Sequence, residues 1–180
     1  MDSLRGQLLI AGPTLEDPNF RRTVVLICVH GEEGALGLVL NRPSELMLGD
    51  AVPELTGALG DQGRLWLGGP VAPDSVVLLA EFVEPGESLV IAGELGLVTD
   101  GAGLDSLGER TRRMRAFVGH AGWAPGQLDA EVERDDWILA PLRAADPFDQ
   151  AAETMWSGAL EAMGGRFALV ARMPEDPSLN

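Results

Sequence analysis

The chain has 180 residues, and its 13 basic residues against 28 acidic residues give a formal net charge of −15. This length indicates one domain spanning residues 1–180, and a hydrophobic fraction of 46% excludes a disordered chain. Because so negative a chain repels phosphate groups and anionic lipids, we expect no direct nucleic-acid partner and no membrane partner. The lack of a signal-peptide pattern and the single cysteine, Cys28, lead us to expect a cytoplasmic protein.

The first quarter of the chain predicts three strands, at Arg5 to Ala11, Thr23 to His30 and Ala35 to Asn41. The second segment is rich in β-branched residues and almost continuously apolar, so it should be covered on both faces in the middle of a sheet. Only four residues, Gly31 to Gly34, link it to the third segment. Because this link is too short for a parallel crossover, we predict an antiparallel hairpin.

The rest of the chain alternates strands with a few helices. Further strands are predicted at Arg64 to Leu67, Ser75 to Phe82, Ser88 to Ile91, Met114 to Val118, Asp136 to Pro141 and Phe167 to Arg172. Helices are predicted at Val52 to Leu59, within Thr99 to Arg113, at Gln127 to Arg134 and at Asp149 to Met163. This mixture predicts an α/β (α+β) domain built on a mixed sheet, and not a doubly wound parallel one.

Cys28 and His30 lie two residues apart on a predicted strand, so their side chains should share one face. Such a pair is a nucleophile and base in principle, but no acid that would orient the histidine is evident in the sequence. The simpler interpretation is a buried cysteine next to a histidine that hydrogen-bonds a neighbouring loop.

No sequence pattern indicates a metal or a cofactor. His30 and His120 belong to no spaced ligand motif, although the abundant acids leave a carboxylate-only metal site open. The segment Gly101 to Ser106 lacks the last glycine of a dinucleotide-binding loop, and the chain contains no phosphate-binding GxxxxGK motif. It also contains no GxSxG motif, the nucleophile elbow of many hydrolases. We therefore expect no metal and no cofactor, and we assign no catalytic residue.

Four arginines, Arg110, Arg112, Arg113 and Arg115, stand out from the acidic background. We interpret them as the C-terminus of a helix, where the helix dipole attracts cations. The alternative is a site for an anion or an acidic partner.

Two glycine pairs, Gly68 with Gly69 and Gly119 with Gly122, each lie beside a tryptophan. Glycines in such positions indicate a backbone that passes close to either a ligand or another strand. Of these two explanations, we favour the packing of strands.

Four blocks of the sequence have the content and order of a known bacterial family. The blocks are Gly6 to Pro43, Leu67 to Val71, Phe117 to Val132 and Trp137 to Pro141. By these blocks the chain resembles the AlgH/YqgE family, which is largely uncharacterised and whose members are often labelled transcriptional regulators. The resemblance implies a mixed, mostly antiparallel sheet curled into a pseudo-barrel, with helices packed outside.

Among the positions that match the family's motifs, five polar residues are those that packing explains least. They are Asn19, His30, Asn41, Arg42 and Gln127. We predict that these residues bind a ligand, with Arg42 holding an anion while Asn41 and Gln127 supply directional hydrogen bonds. The resemblance implies no catalytic or metal-binding role for any of them.

The leading hypothesis is a cytoplasmic, non-enzymatic regulatory or adaptor protein that acts through an unknown protein or a small anionic ligand. The first alternative is a hydrolase or transferase that uses His30 or a carboxylate-bound metal, and it predicts one pocket where all the predicted site residues except Asn19 converge. Direct transcriptional regulation is the second alternative, which the net charge of −15 disfavours. The third is a structural role in an oligomer, which predicts an exposed apolar patch with Trp66 or Trp156. The oligomeric state stays open.

Overall fold

The computed structural model describes residues 2–56, 63–84, 88–99 and 106–174, and these residues form ten strands and five helices. The strands are β1 (Gln7–Ala11), β2 (Val24–Gly31), β3 (Gly34–Val39), β4 (Pro43–Met47), β5 (Arg64–Leu67), β6 (Val71–Phe82), β7 (Leu89–Ala92), β8 (Leu95–Leu97), β9 (Thr111–Trp123) and β10 (Trp137–Pro141). The helices are α1 (Leu48–Ala51), α2 (Leu107–Arg110), α3 (Gln127–Glu133), α4 (Ala152–Met163) and α5 (Arg166–Val170). Short 3-10 turns occur at Pro53–Leu55 and Leu142–Ala144.

Strand β2 lies in the interior of the sheet, between β1 and β3, and both pairings are antiparallel. Leu26 lies opposite Leu8 on one neighbour and opposite Leu38 on the other. Every residue from Val24 to Cys28 is 0% exposed, as an almost continuously apolar strand requires. The predicted central strand and the predicted antiparallel hairpin are therefore confirmed.

A β-bulge at Cys28 interrupts the pairing of β2 with β3. Ile27 pairs with Gly37 and Val29 pairs with Leu36, so Cys28 is one residue more than the partner strand supplies. The fully buried part of the strand also ends there, since Cys28 is 0% exposed and the next residue, Val29, is 40% exposed.

Strand β9 is the junction of the sheet. It pairs with β3 at its C-terminal end, with β6 over most of its length, and with β5 in parallel at Phe117 and Val118. The strand order is β10-β1-β2-β3-β9-β6-β8-β7, and a branch of β5 and β4 joins at β9. All other pairings between the described strands are antiparallel, so the mixed α+β fold with a mostly antiparallel sheet is confirmed. The sheet ends at β10 and β7 and is not closed into a barrel.

The main core lies between the sheet and α4, whose buried residues are Met155, Trp156, Ala159 and Leu160. The indole nitrogen of Trp156 donates a hydrogen bond to the carbonyl oxygen of Ala11 at 3.0 Å. Trp66 and Trp156 are 2% and 3% exposed, so the predicted exposed patch with either tryptophan is wrong. No helix in the described ranges is long and apolar enough to span a membrane.

The segment Phe167 to Arg172 forms helix α5 and the turn after it, and not the predicted strand. Gly164 and Gly165 have positive φ angles of 68° and 56°, and there the chain leaves α4 and turns back so that α5 packs against it. So short an apolar run fits a helix as well as a strand, and its periodicity does not distinguish them.

The interpretation of the arginine-rich segment as a helix terminus is wrong for three of its four arginines. Helix α2 ends at Arg110, and β9 begins at Thr111, so the next three arginines lie on a strand. Arg113 stands opposite Glu81 on β6, and such cross-strand ion pairs favour a strand over a helix. Residues 57–59 of the predicted helix Val52 to Leu59 and residues 101–105 of the glycine-rich stretch lie outside the described residues.

The glycines at 68, 69 and 119 lie where the end of β5 meets β9. A Cβ on Gly68 would lie 2.2 Å from the carbonyl oxygen of Gly119, and a Cβ on Gly119 would lie 2.4 Å from that of Gly69. The predicted close approach of two strands is therefore confirmed, and the neighbouring backbone accounts for these glycines.

We expect Gly119→Ala to lower the free energy of unfolding by about 3 kcal/mol. The new Cβ would overlap neighbouring backbone atoms, and a φ of 69° is unfavourable for alanine. The control Gly158→Ala adds the same methyl group on α4, where nothing lies within 4 Å. The control should raise the free energy of unfolding by up to about 1 kcal/mol. Urea unfolding followed by tryptophan fluorescence measures both changes. Equal midpoints for the two variants would contradict the close approach.

Candidate functional site

Asn41 is a buried residue, 5% exposed, just beyond the end of β3. Its Oδ1 accepts a hydrogen bond from the backbone N–H of Val24 at 2.9 Å, and its Nδ2 donates to the carbonyl oxygen of Arg22 at 2.9 Å. The amide thus extends the β2–β3 pairing by one more position. These two bonds fix the backbone that carries the next residue, Arg42.

Arg42 belongs to a group of three arginines, Arg21, Arg22 and Arg42, which we call the arginine cluster. The guanidinium of Arg42 donates to the carbonyl oxygen of Arg21. The guanidinium of Arg22 lies 4.4 Å from the ring centre of Trp156 and donates to the carbonyl oxygen of Met173. Two members of the cluster, Arg22 and Arg42, line the same cavity, and Arg21 contacts Arg42 through its backbone carbonyl oxygen.

Arg42 lines two surface cavities. The larger, of about 340 Å³, is bounded by the end of the β2–β3 hairpin and the first turns of α4, and the charged residues in its described walls are Arg22, Arg42 and Glu153. The smaller, of about 200 Å³, lies between Arg42, Asn19 and the Gly69–Pro70 turn. Asn19 is exposed, and its backbone N–H donates to Oδ1 of Asp17 at 2.8 Å. The structure therefore brings Asn19, Asn41 and Arg42 together.

His30 lies at the opposite end of β2. Its Nδ1 accepts a hydrogen bond from the backbone N–H of Leu4 at 2.9 Å, so a neutral imidazole carries its proton on Nε2. That Nε2 lies 3.7 Å from Oδ1 of Asp129 on α3. This oxygen is buried and has no hydrogen-bond partner in the described part of the chain. The histidine side chain is only 7% exposed and holds the N-terminal segment against β2.

The Cys28 thiol and the His30 imidazole bond different backbone groups and do not form a nucleophile–base pair. Its thiol lies 3.6 Å from the carbonyl oxygen of Leu26, while the imidazole bonds Leu4. Burial raises the pKa of the Cys28 thiol to about 12, so the thiol is protonated at neutral pH and is a poor nucleophile. The interpretation as a buried cysteine beside a structurally bonded histidine agrees with these contacts.

Gln127 is the first residue of α3 and lies near His30, not near Arg42. Its Oε1 accepts from the backbone N–H of Ala124 at 3.0 Å, and its Nε2 donates to Oε1 of Glu131 at 2.8 Å. Oε2 of Glu131 accepts the indole N–H groups of Trp123 at 2.8 Å and Trp137 at 2.9 Å. Glu131 therefore joins α3 to two strands, a role that no local sequence pattern indicates.

The five predicted site residues fall into two groups. Asn19, Asn41 and Arg42 lie at one end of the β2–β3 hairpin, and His30 and Gln127 lie at the other. Six residue steps along β2 separate the groups by about 20 Å. No single pocket holds His30 with Arg42, and the ligand-binding role of the five residues remains a prediction. Within the described ranges, no three His, Cys, Asp or Glu side chains are placed to hold a metal ion.

A model of the AlgH-like family matches residues 8–168. The chain belongs to the AlgH-like family. The UPF0301 protein SCO2948 of Streptomyces coelicolor is 39% identical over 189 residues, which cover 100% of this chain and 97% of that protein. A UPF0301 protein of Thermobifida fusca is 36% identical over 190 residues, which cover 99% of this chain and 96% of that protein. The predicted relationship is confirmed, and the family is uncharacterised.

Two solved structures share this fold. The crystal structure of protein DIP2367 from Corynebacterium diphtheriae has a TM-score of 0.82 and 29% identity, covering 95% of this chain and 92% of that one. The solution structure of the AlgH protein from Pseudomonas aeruginosa has a TM-score of 0.73 and 31% identity, covering 97% and 96%. The AlgH-like fold therefore extends over nearly the whole chain.

We expect Glu131→Ala to lower the free energy of unfolding by about 2 kcal/mol, because two partly buried indole N–H groups lose their acceptor. Glu133→Ala is the matched control, since it removes the same side chain from an exposed position on the same helix. Thermal unfolding followed by circular dichroism compares the two. Equal losses of stability in both variants would show that Glu131 does not organise this end of the sheet.

Proposed function

We propose that the protein is a non-enzymatic regulatory or adaptor protein of the cytoplasm that binds an anionic group at the arginine cluster. The anion is either a small ligand or an acidic side chain of a partner protein. The observation that carries the proposal is the position of Arg42, which lines two cavities, the larger of them together with Arg22, while the chain as a whole carries a charge of −15.

The chemistry of the cluster suits a carboxylate or a phosphate. A guanidinium presents planar N–H donors that match the oxygens of both groups, and its charge persists at any physiological pH. Among the described residues that line the larger cavity, Arg22 and Arg42 are basic and Glu153 is acidic. An anion of a few atoms fits a volume of about 340 Å³.

The cluster is also held in place before any ligand arrives. Asn41 fixes the backbone on both sides of the hairpin end, and the Trp156 ring supports the guanidinium of Arg22. A site whose side chains are already positioned loses less conformational entropy on binding. This rigidity favours recognition of a ligand.

Three further polar residues that the structure describes, His30, Gln127 and Cys28, do not lie at the arginine cluster. His30 and Gln127 lie at the far end of the hairpin, and the Cys28 thiol is buried and protonated. Binding therefore accounts for the arginine cluster better than catalysis does.

We expect Arg42→Gln to weaken binding of an anion at the cluster about tenfold, because one charged hydrogen-bond donor is lost. The probes are inorganic phosphate for a small ligand and a hexaglutamate peptide for an acidic partner segment. The measurement is the shift of the Trp156 indole N–H signal in NMR spectra at constant ionic strength, because this side chain lines the larger cavity.

Arg5→Gln is the matched control, since it makes the same change in net charge at an exposed arginine that lines neither cavity. It should bind the probes like the unmodified protein. A Trp156 signal that responds to neither probe, or an equal loss in both variants, would contradict the proposal.

A separate gel-shift titration tests direct regulation of transcription. At about 50 mM salt, where electrostatic attraction to DNA is strong, we expect no sequence-specific complex, because the chain carries a charge of −15. Specific DNA binding at nanomolar protein concentration would overturn the proposal that the protein acts through a protein or a small anion and not through DNA.

A further inference from the structure

A third cavity, of about 530 Å³, lies beside β9, between β5 and the end of β4. Its described walls include Arg64, Trp66, Met114, Arg115 and Gln150. None of the described residues that line it is acidic, although the chain contains 28 acidic residues. A cavity with two arginines and no carboxylate in its described walls is a local exception to the charge of this protein.

Arg115 forms the floor of this cavity and is 3% exposed. Its guanidinium lies 3.9 Å from the ring centre of Trp66. It donates to the carbonyl oxygens of Leu40 at 3.2 Å and Asp149 at 2.7 Å. These two bonds use two of the five N–H groups of an arginine.

The charge of Arg115 is not neutralised by contact with an acid. Among the described residues, no carboxylate oxygen lies within 4.0 Å of its guanidinium, whereas Arg113 pairs directly with Glu81 and Asp146. Burial lowers the pKa of Arg115 to about 10, against the opposing effect of the more distant Asp146 and Asp149. The group therefore stays positive at neutral pH while held in a poorly solvated place, where an anion interacts strongly with it.

The cavity also has a second cation and an apolar wall. Arg64 is exposed and lines the same cavity, so the wall contains a second cationic residue besides Arg115. Met47 and Met114 are half-buried side chains of the wall, and methionine adapts its shape to small apolar groups. The volume lies within the range typical of small-molecule sites.

We propose that this cavity binds a small organic anion, with its carboxylate or phosphate group at Arg115 and Arg64 and its short apolar chain against Met47 and Met114. This site is separate from the arginine cluster, and the inference does not rest on the function proposed for that cluster. No catalytic step is part of it.

Three probes of similar size test the proposal: butyrate, n-propyl phosphate and the neutral butyramide. The readout is the indole N–H signal of Trp66 in NMR spectra at constant ionic strength, identified by its loss in Trp66→Phe. We expect at least one anion to give a saturable shift with a Kd of about 1 mM or lower. Butyramide should bind at least about tenfold more weakly because it lacks the charge. The tighter of the two anions identifies the preferred head group.

Two variants place the binding in the cavity without disturbing Arg115, whose carbonyl bonds support the fold. Arg64→Gln removes one cation, and Gln150→Glu places a carboxylate of the same shape in the wall. Each should weaken binding of the anion about tenfold. Arg5→Gln changes the net charge equally at an exposed position outside this cavity and should leave the Kd unchanged.

Three results would overturn the proposal: no saturable shift with either anion, equal binding of butyramide, or an equal loss of affinity in Arg5→Gln. The arginine cluster is tested through Trp156 and this cavity through Trp66, so failure at one site is distinguishable from failure at the other.

Discussion

The rest of the structure depends on the close contact between the end of β5 and β9. Gly68 and Gly69 lie against Gly119 at distances that leave no room for a side chain. This contact allows β9 to pair with β5 as well as with β3 and β6. The same approach brings Trp66 of β5 over Arg115 of β9. Both halves of the sheet and the floor of the third cavity therefore rely on a backbone geometry that glycine alone permits without strain.

Arg115 connects the parts of the molecule that carry the two proposed binding sites. Its bond to Leu40 holds the residue before Asn41 and Arg42, and its bond to Asp149 holds the segment that leads into α4. These two segments are also the walls of the larger cavity at the arginine cluster. One buried guanidinium thus fixes the distance between the walls of one site while it forms the floor of the other.

The position of β2 in the sheet and its hairpin with β3 could be predicted from the local sequence. β2 is almost continuously apolar, which leaves an interior position in a sheet as its only favourable environment, and the short link to β3 dictates a hairpin. The arginines of β9 were not predictable, because a charged run fits a helix terminus equally well until Glu81 and Asp146 are known to lie beside it. Those carboxylates are distant in sequence.

The same distinction applies to the candidate sites. Asn41 and Arg42 attract attention because polar residues directly follow a buried strand, and the structure places both at a cavity. Gln127 was predicted as a ligand-binding residue because it is polar, but its amide nitrogen donates a hydrogen bond to Glu131. The role of Glu131 depends on two tryptophans that separate strands bring together, and the role of Arg115 depends on carbonyl groups far along the chain. Both roles depend on contacts between residues that are distant in sequence, so no local sequence pattern predicts them.

The location of the positive charges has a consequence for the kinetics of association. A net charge of −15 repels anions at long range, whereas the arginines at the cavities act only over a few ångströms. Repulsion grows with the charge of the approaching molecule, so a polyanion is slowed far more than a monovalent metabolite. Added salt screens this barrier and also weakens the local attraction, which moves the rates of association and dissociation in the same direction. The net charge thus discriminates between anions by their valence before any cavity contact is made.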